Sequence, residues 1–106
     1  MRVKNIYKRL PDAGKTEIFE KLFDKKGVRI ERITSFGQST PKGEWLKEKK
    51  NEWVILLMGR AKIRFRKKRK GILLAPGDHV FIPSGCEHRV DRTSLREKTL
   101  WLAVHF

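Results

Sequence analysis

From Gly27 onward the sequence is cut into short apolar runs by turn residues: seven of its eight glycines and three of its four prolines fall there. A chain interrupted this often does not build long helices. Short apolar runs between closely spaced turn signals point to a β-sandwich or barrel. Residues 28–36, 53–58, 61–65, 72–75, 79–82 and 100–106 read as strands. The stretch from Arg60 to Arg66 alternates strictly, with Ala61, Ile63 and Phe65 on one face and Arg60, Lys62, Arg64 and Arg66 on the other. That period of two places the apolar set inward and leaves an outward basic stripe. Lys67, Lys68, Arg69, Lys70 and Gly71 then form an exposed hairpin tip.

The first 27 residues read differently. Ile18, Phe19, Leu22 and Phe23 recur at helical spacing, Thr16 stands as an N-cap, acidic residues crowd the first turn, and Lys25, Lys26 and Gly27 close it. The expectation is an N-terminal strand and short helix over 1–27, packed on an all-β domain over 28–106. With 106 residues there is room for one domain. No apolar run approaches the roughly 20 residues of a membrane span, and the first residues lack the apolar stretch of a secretory signal. Cys86 is the single cysteine, which excludes a disulfide framework or a Cys-rich zinc site within one chain. The expectation is a soluble, cytoplasmic protein with no membrane partner.

The segment from Gly77 to His88 carries the most information. Pro76, Gly77 and Asp78 form a tight turn, Val80 to Ile82 a strand, and Pro83 to Gly85 a second turn that leads His88 into the next strand. The spacing of Gly77, Pro83, Gly85 and His88 resembles the second signature motif of the cupin superfamily, and Glu52 with Gly59 resembles the end of that family's first motif. The two half-motifs cover residues 52–88, and the flanking strands extend the resemblance over most of 28–106. It implies an antiparallel jelly-roll β-barrel with a pocket in its mouth, and a homodimer formed by strand or sheet packing.

Members of that family hold a divalent metal through two His and one Glu of the first motif and one His of the second. Glu52 fits the glutamate and His88 the second-motif histidine. The His-x-His pair has no counterpart: its positions are Trp45 and Lys47, or Leu46 and Glu48, of which Glu48 alone carries a ligating group. Arg92 stands where a terminal Asn is common. His105, in register with Ala103 and Trp101, is a further inward candidate. Imidazole and carboxylate together suit Zn, Fe, Mn or Ni. The competing reading makes Glu52 and His88 a hydrogen-bonded polar pair lining a small-molecule pocket, with Trp45 and Trp101 as walls.

Three other patterns read as structural. Gly14-Lys15-Thr16 lacks the upstream glycine of a phosphate loop and reads as a helix cap. Cys86 sits at a turn near His88 and reads as structural rather than nucleophilic. Ser84, His88 and Asp91 share one hairpin, too local for a nucleophilic triad.

The charge balance is +14, and residues 60–70 hold eight Lys or Arg with no acid. The plain meaning is a solvated strand face that blunts edge pairing. The functional alternative is a polyanion or nucleic-acid footprint through Arg64, Arg66, Lys67, Lys68, Arg69 and Lys70, with weak, salt-dependent binding. Two Asn and one Gln among so many charges follow the trend of proteins from hot environments. The sequence therefore predicts a small cupin-like protein with a pocket for a small organic ligand, metal-assisted or not. The alternatives are a non-catalytic binding protein and a polyanion-binding module.

Overall fold

A computed structural model describes residues 1–106 and contains eight strands and no helix. They are β1 (Ile18–Lys25), β2 (Val28–Ser35), β3 (Glu52–Met58), β4 (Ala61–Phe65), β5 (Ile72–Leu74), β6 (His79–Ile82), β7 (His88–Thr93) and β8 (Thr99–His105). Two antiparallel sheets form, one ordered β1-β2-β8-β3-β6 and the other β5-β4-β7. They are two facing layers, not a single closed cylinder. Their inner faces supply one apolar core: Val54, Leu56, Ile82, Trp101 and Ala103 from the larger sheet, and Ala61, Ile63 and Leu74 from the smaller. Leu56 is fully buried, and a buried leucine of this kind contributes about 2–3 kcal/mol.

The short N-terminal helix expected over 16–24 is a strand instead. Lys26 and Gly27 both have positive φ, at 51° and 79°, the geometry of a two-residue hairpin turn. The glycine that reads as a helix stop is thus the second corner of a hairpin, and Lys25 pairs with Val28 across it. Once β2 offers a paired edge, the Ile18–Lys25 stretch extends along it, with a bulge between Lys21 and Phe23. Gly14-Lys15-Thr16 caps no helix either, because the Gly14 amide donates to Asp12 Oδ1 in a local turn.

Two turns bracket β6. The Asp78 amide donates to the Ala75 carbonyl and the Cys86 amide to that of Pro83, each at 3.0 Å. Gly77 and Gly85 hold the third position of these turns with φ of 94° and 77°, where a side chain is disfavoured. The strand directions then bring Glu52, Ile82, Phe65, His88 and His105 to one end of the sandwich, its mouth. At the other end, the Trp101 indole donates to Ser35 Oγ at 3.2 Å, and Ser35 Oγ in turn donates to Glu17.

A buried imidazole–carboxylate cluster at the candidate site

Glu52 opens β3, His88 opens β7 and His105 closes β8. Within the larger sheet Glu52 lies directly opposite His105, and His105 opposite Arg29. The alternation that turns His105 inward also turns Arg29 and Glu31 inward. His88 reaches the same space from the facing sheet. Its Nε2 is 3.7 Å from Glu52 Oε1, while His105 Nε2 is 4.0 Å from Glu52 Oε2 and 3.1 Å from Glu31 Oε1. Arg29 Nε donates to Glu31 Oε1 at 3.1 Å. The Phe65 ring, tilted 45° to His88 with centroids 6.4 Å apart, forms an apolar wall.

The hydrogen bonds fix where protons sit. His88 Nδ1 lies 3.0 Å from the Cys86 carbonyl oxygen, which only accepts, so Nδ1 carries hydrogen. Nε2 of the neutral ring therefore presents a lone pair toward Glu52. At 3.7 Å the two groups face each other without the hydrogen bond expected of a polar pair, and a proton on the Glu52 carboxyl relieves the opposition of lone pairs. Burial pushes the Glu52 carboxyl above its ordinary range, and it is the largest influence. His105 and Arg29 pull it down, whereas Glu48 and Glu31 push it further up. His105 Nδ1 is buried with no partner, while its Nε2 faces Glu31 Oε1.

These residues contain the donor types of a transition-metal centre, but not its arrangement. No three His, Cys, Asp or Glu side chains are grouped so as to hold an ion. The His105 nitrogen that faces the cluster is engaged with Glu31, and an ion there would require that contact to break. Glu48 is exposed and acts on Glu52 through its charge.

The remaining predicted residues lie elsewhere. Trp45 is half-buried beside Arg66 and Arg89, 5.7 and 6.0 Å from its ring centroid. Trp101 is in the core. Cys86 is half-buried against the core and serves His88 through its carbonyl. Ser84 donates to the Lys49 carbonyl, and Asp91 accepts from Arg64 and Arg89, so neither meets His88 as a triad would. A depression of about 470 Å³ lies at the end opposite the mouth, lined by Arg60, Leu74, Asp78 and Arg92 among others. Glu31 and Arg29 escape a sequence reading because Val28 and Ile30 are the apolar members of that alternation. Their apolar face is the outer one.

The fold has many counterparts among solved structures. A Ralstonia eutropha JMP134 protein, provisionally named a mannose-6-phosphate isomerase, is 38% identical, with 99% of this chain and 97% of that one covered at a TM-score of 0.95. The TT1209 protein of Thermus thermophilus is 21% identical, with 99% and 96% covered and a TM-score of 0.79. A cupin superfamily protein of Desulfitobacterium hafniense DCB-2 is 20% identical, with 100% and 98% covered and a TM-score of 0.71. No family model and no curated protein matches the sequence. An all-β sandwich with the motif turns around β6 and these likenesses defines the class: the chain has the fold of cupin superfamily proteins.

Proposed function

We propose that the mouth is a binding site for a small polar organic molecule, in which Glu52 exchanges a proton or hydrogen bond with the ligand. One observation carries this reading: a carboxyl held above its ordinary range by burial faces two imidazole nitrogens within 4.0 Å. A buried acid with imidazoles close by is suited to general acid–base work. The Glu52–His88 pair takes up or returns the proton, while Glu31 orients His105 through Nε2. The provisional name of the Ralstonia eutropha relative makes phosphorylated sugars the first ligands to test. Aldose–ketose interconversion moves one proton between neighbouring carbons and a second between their oxygens; a carboxyl of this kind can relay the first and a neighbouring imidazole the second.

The test is a titration with mannose 6-phosphate and fructose 6-phosphate, followed through the imidazole NMR signals of His88 and His105, with elemental analysis of the same sample. Saturable shifts in both rings are expected, and Glu52→Gln should weaken binding at least tenfold. Equal affinity in a Glu52→Gln, His88→Gln double variant would place the site elsewhere. Stoichiometric Zn, Fe, Mn or Ni, lost in His88→Gln and His105→Gln, would convert the reading to a metal centre.

A further inference from the structure

The outer face of the β5-β4-β7 sheet is a second chemical surface, separate from the mouth. Lys62 and Arg64 project from β4, Arg66 follows at its end, and Arg89 and Arg92 come from β7. The register sets Arg64 opposite Arg89 and Lys62 opposite Arg92. Like charges placed directly across strands are destabilising. Two carboxylates answer them. Asp91 accepts from Arg64 Nε at 2.9 Å and from Arg89 Nε at 2.8 Å, and Glu87 accepts from Arg66 Nη1 at 2.7 Å. Arg89 is further committed to the carbonyls of Thr40, Pro41 and Glu44. The side chains of Arg64 and Arg66 remain 42% and 55% exposed. The β4–β5 hairpin adds Lys67, Lys68, Arg69 and Lys70, all exposed.

We propose that this face and its hairpin bind the phosphate backbone of a nucleic acid. The arginines are not free to wander. Asp91 holds the Nε edge of Arg64, and Glu87 with the Trp45 ring holds Arg66. Fixed, planar guanidinium forks suit phosphate oxygens better than flexible ammonium groups do. Alternate residues along β4 project about 6.7 Å apart, so Lys62, Arg64 and Arg66 form a linear array that a polyphosphate strand can follow. A membrane surface fits less well, because anchoring there uses several apolar side chains alongside the cations; the tip at 67–70 has none, and Leu73, exposed opposite Lys62, stands alone among the cations of this face. Backbone contacts of this kind position a nucleic acid without reading its sequence.

Fluorescence anisotropy with labelled 12-nucleotide single strands, a DNA duplex of the same length, phosphatidylserine vesicles and polyglutamate tests the proposal on the full chain. At about 0.1 M salt, replacing Lys67, Lys68, Arg69 and Lys70 by Ser should weaken nucleic-acid binding at least tenfold. The salt slope should flatten by about 0.7 for each single-strand phosphate no longer neutralised. Arg64→Gln with Arg66→Gln should weaken binding further. The control replaces Lys4, Lys15, Lys25 and Arg96, exposed on other surfaces, by Ser and removes the same charge. An equal loss of affinity in the control would reduce the effect to net charge and overturn the site. Binding of vesicles or polyglutamate, but not of either nucleic acid, would overturn the partner.

Discussion

Arg32 and Glu20 meet across the β1–β2 pairing in a two-pronged ion pair, Nε to Oε1 at 2.8 Å and Nη2 to Oε2 at 2.9 Å. The remaining guanidinium donors reach the carbonyls of Ile6, Lys8 and Arg9. One buried side chain on the outer face of the larger sheet therefore fastens the segment before β1. Replacing it strands a carboxylate and three carbonyls together. Arg32→Ala should cost about 3 kcal/mol in urea unfolding and raise amide exchange in β1 and β2. A cost under about 1 kcal/mol would mean that the segment holds by other contacts.

Glu52 makes stability depend on pH in a defined direction. Its carboxyl is raised in the folded chain, so its contribution is fully present below the unfolded value of about 4.5. That contribution is lost as pH rises through the folded value. Glu52→Gln should accordingly gain stability relative to the parent as pH climbs from 4 toward neutrality. Thermal melts at several pH values check this, and a constant difference between the two proteins would contradict it.

Asp91 should behave oppositely. Burial alone would raise its carboxyl, but hydrogen bonds from Arg64 and Arg89, and their charges, overrule it and hold it below its ordinary 3.8. The stability it provides is present above 3.8 and is lost as pH falls through the lowered value. Asp91→Asn should be most destabilised at neutral pH and low salt, as read by thermal melts. The difference should narrow as salt screens the cations left behind.

Gly59 and Gly77 both have positive φ, at 88° and 94°, but their surroundings differ. A Cβ at Gly59 would lie 2.5 Å from Thr99 Oγ1, 2.7 Å from Thr99 Cα and 2.8 Å from the Lys98 oxygen, whereas at Gly77 it meets nothing within 4 Å. Gly77→Ala should cost about 1 kcal/mol, for the backbone conformation alone. Gly59→Ala should cost about 3 kcal/mol, because two of its obstacles are backbone. Comparable denaturation midpoints would show that the β8 backbone gives way.

Much of the β-sheet half was legible because its signals are local. Alternation over 60–66 gave β4, and Pro76, Gly77, Pro83 and Gly85 gave the turns around β6. The N-terminal hairpin was not, since Lys26-Gly27 serves equally as a helix stop and a hairpin turn. Which applies depends on β2 being available as a partner. The site divides the same way. Glu52 and His88 followed from motif spacing and His105 from alternation on the last strand. Glu31 and Arg29 emerged only from the β2–β8 register, which no local pattern encodes.

The position of β8 bears on the order of events in synthesis. It lies between β2 and β3, although both precede it by a long stretch of chain. Until residues 99–105 leave the ribosome, those two strands have no bridge, and Glu31 and Glu52 have no His105. Pairings so distant in sequence are slow to close, typically milliseconds to seconds. The nascent chain must therefore hold Ile33, Val54 and Leu56 without their β8 partners until translation is nearly complete, the interval when a holding chaperone matters most.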